Sequence, residues 1–425
     1  WASTLALTGN QSYLYPAVGI SGIVSQMVKL PEVISYMKVR ASYSQTDNEV
    51  PFNVVNPWNS INGSGGPTGI GGIARNTQVP FTNLKPEIIE GNEYGVEMKL
   101  FKNKIGVDFT LYKDVSTNQF LSLAAPSGSG FTSYYVNAGR IENKGFELSV
   151  YATPIKTADF SWNVNANWTK NQSMVLSLYG GSQNLQLGSF QGGVSLNASV
   201  GQPYGVLQGK TWVLVNGEKS VKSNGRYNIS TTTTNNIGNM NPDWIGGLNN
   251  TFKYKNVSFS FLIDVKQGGN IFSLDQYYGA ATGVYAESAA LNDKGNPSRN
   301  TIAEGGGVIM PGVKADGTPN DIRVENEYGT YGYAYNPAAA FVYDASYIKL
   351  REANLTYSLP KSIVAKLGGV KGVDVSVFGR NLWIIKKYVP YADPEENLSS
   401  GNIQGYQSGA YPTTRSIGFN VKLLF

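Results

Sequence analysis

The sequence of 425 residues contains no cysteine and no histidine. The absence of cysteine excludes disulfides, thiolate metal sites and a cysteine nucleophile, and the absence of histidine removes the commonest general base and metal ligand. Charged residues are also scarce, at 15% of the chain, against roughly 25% in ordinary soluble domains. The net charge of +5 is spread without blocks, so neither nucleic acid nor an acidic partner is indicated.

Long apolar runs are missing as well, since none approaches the ~18 residues that a transmembrane helix needs. A membrane role would therefore have to come from strands. The chain starts at Trp1 without an initiator Met or a signal peptide, which predicts a mature or truncated product. Glycine (49 residues) and aromatic residues (12%, with 27 Tyr and 7 Trp) are abundant. Together with the low charge they predict an all-β protein with many turns.

The last stretch, Thr413–Phe425, alternates apolar and polar residues. Side chains alternate between faces along a strand, so the pattern predicts a strand with one apolar face. That face consists of Ile417, Phe419, Val421, Leu423 and Phe425. The pattern suits the terminal strand of a soluble β-sandwich, and equally the closing strand of a transmembrane barrel, whose lipid face must be apolar.

A second stretch, Asp159–Lys170, favours the barrel. One parity is apolar and carries Trp162 and Trp168, whereas the other parity contains a row of amides, Asn163, Asn165 and Asn167. Uncharged amides suit a water-filled lumen better than an outer surface, and tryptophan suits the interfacial girdles of a barrel. We therefore predict that the asparagines line a lumen and that the two tryptophans face lipid.

About twelve strands are expected along the chain, with short and long connections alternating between them, as in outer-membrane barrels. The expected strands are Trp1–Thr8, Tyr13–Gly22, Tyr36–Gln45, Glu93–Phe101, Lys104–Lys113, Asn143–Thr153, Asp159–Lys170, Asp243–Lys255, Asn256–Lys266, Ser346–Ser358 (with a bulge between Leu350 and Leu355), Val373–Asn381 and Thr413–Phe425. The long connections are Asp47–Pro86, Leu121–Arg140, Tyr179–Pro242, Gln267–Asp344 and Leu382–Pro412. The fold class is therefore all-β, a transmembrane antiparallel up-and-down β-barrel.

Chemistry-bearing patterns are weak. The carboxylate pairs Glu325/Glu327 and Glu395-Glu396 lie in polar loops and are interpreted as solvated charge, so no catalytic residue and no enzyme is predicted. The run Gly63–Gly72 lacks the following Lys and Ser/Thr of a phosphate loop. The segment Asp316–Glu327 mimics a calcium loop but has Asp321 where glycine belongs. Loop calcium stays an alternative, and no metal or cofactor site is predicted.

Aromatic residues in the long loops are the better candidates for function. Sugars and peptides are held by aromatic faces together with a few polar groups. The predicted substrate-binding residues are Trp58, Trp212, Tyr277, Tyr278, Tyr331, Tyr333 and Tyr335. The alternative is that each ring packs within its own loop or belongs to an aromatic girdle.

Several stretches resemble the barrel of SusC/RagA-type TonB-dependent transporters of Bacteroidetes. They occur in family order: NLKPEIIEGNEYGVEMKLFKNKIGVDFTLYKD (Asn83–Asp114), VNAGRIENKGFELSVYATPI (Val136–Ile155), GVKADGTPNDI (Gly312–Ile322), YDASYIKLREANLTYSLPKSI (Tyr343–Ile363), FGRNLW (Phe378–Trp383), ADPEEN (Ala392–Asn397) and YPTTRSIGFNVKLLF (Tyr411–Phe425). Together these motifs are specific, and they extend from Asn83 to the last residue, Phe425.

The resemblance implies a multi-pass barrel of about 22 strands in the cell outer membrane with an N-terminal plug. Residues 1–425 would form the last part of that single barrel domain, without the plug and the first strands. It further implies import of oligosaccharides or oligopeptides, energised through TonB by way of the missing N-terminal region, with a SusD-like surface lipoprotein as partner.

Two other classes stay open at this stage. The chain is alternatively a barrel fragment captured as a client of assembly or secretion machinery, or a soluble β-rich module that binds carbohydrate. A fragment of a barrel would leave two strand edges unpaired in lipid, which is unfavourable because nothing there satisfies the backbone.

Overall fold

The computed structural model describes residues 3–5, 12–50, 54–55, 58–62, 72–79, 84–125, 127–137, 139–399 and 401–425. Eleven of the described strands form one sheet in which neighbours follow chain order. They are β1 Ala17–Ile23, β2 Ile34–Asn48, β3 Glu87–Leu100, β4 Ile105–Thr117, β5 Arg140–Lys156, β6 Phe160–Ser177, β7 Trp244–Tyr254, β8 Val257–Gln267, β9 Tyr347–Ser358, β10 Gly372–Lys387 and β11 Ser416–Leu424. This antiparallel meander confirms the predicted fold class.

The long loops hold further short strands. They are Ser60–Asn62, Gly72–Ala74, Gln78–Val79, Phe120–Ala124, Ser133–Asn137, Asn184–Phe190, Val194–Ser199, Tyr204–Gly209, Leu214–Val215, Glu218–Lys219, Asn235–Asn239, Asn270–Ser273, Val308–Ile309, Arg323–Val324, Val342–Asp344 and Tyr406–Gln407.

Helices in the described part of the chain are few and short. The α-helices are α1 Val24–Met27, α2 Leu274–Thr282 and α3 Lys361–Val364, and 3-10 turns occur at Ser3–Leu5, Ser127–Ser129, Tyr179–Gly181, Ala286–Ala289, Ile302–Glu304, Ala338–Phe341 and Ala365–Leu367. None of the helices in the described ranges is long and apolar enough to cross a bilayer.

By contacts, the chain divides into two compact units. The first comprises Trp1–Leu148, Asn171–Leu185 and Ser199–Gln202, and the second comprises Ser149–Lys170, Gln186–Ala198 and Pro203–Phe425. The first has a small core of Leu5, Val50, Val54, Val55 and Leu84. The second has a larger loop core of Val194, Leu196, Leu207, Phe272, Ala338, Phe341 and Tyr406.

One face of the sheet in the second unit is an apolar ladder. Its cross-strand partners run in register from β6 to β11 through Trp162, Phe252, Phe259, Leu355, Val377 and Phe419. On the terminal strand the predicted apolar residues are exposed, with Phe419 79% and Ile417 70% accessible. Exposed apolar rows of this kind mark a surface that meets something other than water.

The opposite face is polar, as the asparagine row predicts. Asn163 is paired across the sheet with Thr251, and its side-chain oxygen accepts a hydrogen bond from Thr153 Oγ1 at 2.9 Å. On the apolar face, by contrast, Trp162 donates its indole N–H to Asn250 Oδ1 at 3.0 Å. Whether the amides line a lumen and the tryptophans contact lipid stays a prediction.

The bulge expected in the ninth strand is confirmed. Pairing with β8 jumps from Glu352 opposite Leu262 to Leu350 opposite Ile263, so Arg351 is the extra residue. A bulge inserts one residue on one strand and re-aims the side chains around it. The apolar parity consequently changes between Leu350 and Ala353.

The strand expected at Trp1–Thr8 is wrong where it can be judged. Ser3–Leu5 form a 3-10 turn, and the rest of that stretch lies outside the described residues. The side chain of Leu5 is fully buried beside Val50 and Leu84. Burial in this cluster outweighs the strand pattern of the isolated segment. The glycine-rich run at Gly63–Gly72 lies almost entirely outside the described residues.

Several turns and strand ends also differ from expectation. The turn between the expected strands Asn143–Thr153 and Asp159–Lys170, predicted at Pro154–Ala158, begins only after Lys156, because the backbone N–H of Thr157 donates to Phe160 O at 2.8 Å. The tenth strand continues past Asn381 to Lys387, with Asn381 at a left-handed φ of 50°. The expected strands Asp243–Lys255 and Asn256–Lys266 predict a two-residue turn at Lys255-Asn256, and the pairing of Tyr254 with Val257 confirms it.

Candidate functional site

The region expected to be irregular, Gln267–Asp344, contains helix α2, which positions two of the predicted binding residues. Ser273 precedes the helix, and its hydroxyl accepts from Gln276 N at 3.2 Å, which satisfies a free N–H of the first turn. Gly283 ends the helix at a left-handed φ of 75°. This capped helix presents Tyr277 and Tyr278 next to each other. The Ser and Gly ten residues apart were the sequence signal for it.

Three of the predicted residues meet in a tyrosine cluster formed by Tyr277, Tyr278, Tyr328 and Tyr333. The ring of Tyr333 stacks on Tyr277 with centroids 4.9 Å apart and meets the ring of Tyr278 edge-on at 5.3 Å. The Tyr328 and Tyr333 hydroxyls are 2.6 Å apart. Tyr328 is 58% exposed, so the cluster has an accessible aromatic side. Sequence reasoning missed Tyr328, although it lies between the predicted residues.

Tyr335 belongs to a different arrangement. Its ring lies against the Arg226 guanidinium, 4.0 Å from the ring centroid, and its hydroxyl donates to Glu327 Oε1 at 2.9 Å. Arg226 Nη2 donates to the same carboxylate oxygen at 2.9 Å. This bond to Glu327 raises the pKa of Tyr335, because it favours the protonated phenol. The ring therefore packs on an ion pair between Arg226 of one long loop and Glu327 of the loop that carries Tyr335.

Two more predicted residues, Trp212 and Tyr331, line one cavity of about 570 Å3, the loop cavity. Its walls are formed by Trp212, Lys219, Tyr227, Ala280, Asn292, Asp293, Val308, Ile309, Met310, Pro311, Tyr331, Asn336, Ala340, Phe341 and Tyr343. The volume falls within the range of ligand pockets, about 300–1,000 Å3, and the walls combine apolar and aromatic groups with a few polar ones.

The remaining predicted residue, Trp58, lies in the first unit, whereas the other six lie in the second. Its side chain is 63% exposed, and its carbonyl accepts from Asn76 Nδ2 at 3.3 Å. The structure therefore brings together Tyr277, Tyr278 and Tyr333 in one cluster and Trp212 and Tyr331 in one cavity. It does not place Trp58 in either group.

Sequence reasoning missed a charge network of Asp264, Lys349, Arg351, Asp393 and Glu395. Lys349 Nζ lies 2.6 Å from Asp393 and 2.5 Å from Glu395. Arg351 Nη1 donates to Glu395 Oε2 at 2.7 Å, and Arg351 Nε donates to Asp264 Oδ2 at 3.0 Å. These bonds tie ADPEEN to the ninth strand, so two of the motifs quoted for the resemblance bind each other.

The interpretation of Glu395-Glu396 as solvated charge is wrong. Burial opposes the ionisation of Glu395, but the bonds from Arg351 and Lys349 outweigh it and lower the pKa of Glu395 to about 2. Glu396 accepts from Gln407 Nε2 at 3.0 Å and from Ser408 N at 3.2 Å. Both carboxylates are therefore bonded to other residues of the chain. They stabilise the loop that follows the tenth strand.

The pair Glu325/Glu327 is likewise engaged in bonds within the chain. Glu325 accepts from Ile302 N at 3.0 Å, and Glu327 pairs with Arg226. Of the calcium-like segment, Asp316 accepts from Thr318, and Asp321 pairs with Lys314 at 3.2 Å. Among the described residues no group of three or more acidic side chains is placed to hold a metal ion.

Comparison with known proteins gives one consistent result. No family model matches the chain. It is 27% identical, over 98% of its length, to TonB-dependent receptor P26 of Formosa agariphila, and 31% identical, over 23% of its length, to TonB-dependent receptor SusC of Bacteroides thetaiotaomicron. The chain spans 43% of the first relative and 10% of the second.

A solved structure of the RagAB peptide transporter has the same fold. It superposes with a TM-score of 0.72 at 18% identity, covering 98% of this chain and 44% of the transporter chain. The relatives are named as receptors and not as enzymes, in line with the absence of a predicted active site. Sequence similarity over nearly the whole chain, together with this fold, confirms that the chain is SusC/RagA-like, with the barrel architecture of TonB-dependent outer-membrane transporters.

Proposed function

We propose that this chain forms part of an outer-membrane TonB-dependent importer of oligosaccharides or oligopeptides. The observation that carries the proposal is similarity to TonB-dependent receptors across 98% of the chain. The eleven-stranded meander supports it, because its exposed apolar ladder suits the lipid face of a multi-pass barrel.

The partners follow from the same comparison. The transporter of similar fold is named RagAB, which supports a two-component assembly. We propose that a SusD-like surface lipoprotein acts with this protein and that TonB engages a region preceding the barrel. Energy for import would then come from the inner membrane.

Substrate would contact the long loops of the second unit. The tyrosine cluster and the loop cavity supply aromatic faces next to hydroxyl and amide groups, the combination that recognises sugars and peptides. Trp212, Tyr277, Tyr278, Tyr331 and Tyr333 are the proposed contacts there. Trp58, in the first unit, and Tyr335 stay predicted substrate contacts outside these two groups.

Growth of the source bacterium tests the proposal. The full-length gene is deleted, and growth is measured on single glycans and on peptides as the only carbon source. We expect the deletion strain to lose growth either on glycans or on peptides. The full-length gene should restore this growth, but not in a strain that lacks TonB. Normal growth of the deletion strain on every substrate, or restoration without TonB, would sink the proposal. Recovery of the native protein without detergent would favour a soluble module instead.

A further inference from the structure

We propose that the loop cavity binds a carboxylate group of its ligand through the ammonium of Lys219. The proposal rests on the import function proposed above, since it names the chemical class of an imported molecule. The proposal is argued from three features of Lys219: its unpaired charge, the aromatic rings around its ammonium and the fixed position of its backbone.

Lys219 is a cation for which the described residues supply no counter-ion. Its Nζ lies 3.9 Å from the ring centroid of Trp212 and 5.6 Å from that of Tyr227. No acidic side chain of the described residues lies within 4.0 Å of this ammonium, in contrast to Lys349. Aromatic faces stabilise a cation only in part, so the site retains unbalanced positive charge.

The acidic residue in the cavity wall is already paired. Asp293 accepts from Arg323 Nη2 at 2.7 and 2.6 Å with its two carboxylate oxygens. It is therefore neutralised by a residue other than Lys219. Burial lowers the pKa of Lys219, as expected for an ammonium that lacks a partner. An arriving carboxylate would restore the balance.

The cavity also supplies neutral hydrogen-bonding groups. The phenol groups of Tyr227 and Tyr331 line it, and neither hydroxyl bonds to another group in the described part of the chain. Burial raises the pKa of both phenols, so they stay protonated and can donate to a ligand. Met310 and Phe341 provide apolar walls for the rest of the molecule.

The lysine is held on a rigid turn. Leu214–Val215 and Glu218–Lys219 form a hairpin around Asn216-Gly217, whose φ values of 54° and 85° are those of a tight hairpin turn. The Lys219 carbonyl accepts from Val313 N at 2.9 Å. A Cβ added at Gly312 would lie 2.3 Å from that carbonyl, so this close approach requires glycine. The backbone that carries the ammonium is therefore positioned before a ligand arrives.

A carboxylate can reach this site from two sources, a uronic acid in an oligosaccharide or the C-terminus of a short peptide. The test uses the full-length protein in detergent and isothermal titration with four probes. These are digalacturonate, its dimethyl ester, trialanine and trialanine amide. Each acid is compared with a derivative of nearly the same shape whose carboxyl group is uncharged, and the N-terminal ammonium is common to both peptides.

We expect one of the acids to bind at least about tenfold more tightly than its neutral form, a difference of about 1.4 kcal/mol. Preference for digalacturonate assigns the sugar source, and preference for trialanine assigns the peptide source. Lys219→Met should abolish the preference, and Lys219→Arg should keep most of it. The matched control is Lys222→Met, since Lys222 is exposed and lies outside the cavity wall.

Equal binding of acid and neutral forms, no binding of either acid, or equal effects of Lys219→Met and Lys222→Met would overturn the inference. Far-UV circular dichroism of each variant verifies that the barrel is intact. Growth of the Lys219→Met strain separates the two proposals. If growth still depends on TonB but the protein binds the acids no more tightly than their uncharged derivatives, the carboxylate site is wrong and the import function stands. If the wild-type strain grows equally well without this gene and without TonB, the import function itself is wrong.

Discussion

Lys349 on the ninth strand and Asp393 in the loop after the tenth are joined at 2.6 Å, with only 4% and 2% of their side chains exposed. Each of these two charges needs the other as a partner, because an unpaired charge in a buried position destabilises the folded protein. Asp393 also accepts from Thr413 Oγ1 at 2.6 Å, just before the terminal strand. One carboxylate therefore links a central strand, a long loop and the approach to the last strand.

Replacing Lys349 with Met should destabilise the protein by about 3–5 kcal/mol, because Asp393 is left buried and unpaired. Urea unfolding in detergent, followed by tryptophan fluorescence, measures the change. The control is Arg380→Met, whose pair with Glu352 is largely exposed at 3.1 Å and should contribute about 1 kcal/mol or less. The double variant Lys349→Met with Asp393→Leu should recover part of the loss. Equal effects of the two single substitutions would contradict a buried pair.

Acid should loosen the loop that carries ADPEEN. The pKa of Glu395 is lowered to about 2 by its cationic partners, whereas an unperturbed glutamate titrates near about 4.3. A lowered carboxyl pKa contributes stability above the unfolded value, and that stability is lost as pH falls from about 4.3 toward 2. The protection factors of the backbone amides of residues 388–412, which are corrected for the pH dependence of intrinsic amide exchange, should fall between pH 6 and pH 3. Glu395→Gln should show low protection already at pH 6, and protection that does not change with pH in the unmodified protein would refute the assignment.

Removing one ring of the tyrosine cluster should weaken substrate uptake. Tyr333→Ala deletes the ring that contacts both Tyr277 and Tyr278, and we expect about tenfold weaker substrate binding, or about 1.4 kcal/mol. Tyr333→Phe keeps the ring and loses only the bond to Tyr328, so its effect should be small. Tyr411→Ala is the control, since that side chain is fully exposed elsewhere. Uptake unchanged by Tyr333→Ala would remove the cluster from the binding surface.

A charge on the apolar ladder should impair membrane assembly. Phe419→Lys introduces an ammonium on the face that is proposed to meet lipid, at a cost of about 2–4 kcal/mol near the bilayer midplane. Asn420→Lys places the same group on the opposite face of the same strand and should be tolerated. The fraction of heat-modifiable protein in outer-membrane preparations measures assembly. Equal yields from the two variants would show that Phe419 does not face lipid.

The sheet was predictable because period-two alternation and turn chemistry are local signals. The terminal strand, the Lys255-Asn256 turn and the bulge between Leu350 and Leu355 all follow from residues close in sequence. The charge network was not predictable, since Lys349 and Asp393 are 44 residues apart and nothing local reveals their burial. The Trp1–Thr8 prediction failed for the same reason, because Leu5 packs on residues far along the chain.

For the candidate site, the sequence allowed us to predict only the kind of residue involved. Aromatic rings in long loops were identified, but which rings meet depends on how α2 and the segment around Tyr333 pack together. The different settings of Tyr335 and Tyr333 arise from Arg226, about a hundred residues earlier in the chain. Nothing in the sequence around Lys219 indicates a ligand-binding residue, because its role depends on neighbours that only the fold brings together.

The bulge at Arg351 has a consequence for the length of the ninth strand. If Arg351 is left out of the count, inward and outward side chains alternate without interruption from Tyr347 to Tyr357. Relative to β8, the ninth strand thus contains one residue more than the pairing requires, whereas β10 has two residues, Asn381 and Leu382, opposite Arg351. Deleting Arg351 would regularise the pairing with β8 and at the same time deprive Asp264 and Glu395 of their guanidinium partner. The extra residue of the ninth strand therefore supplies one cation to two carboxylates, at the expense of regular pairing with β8.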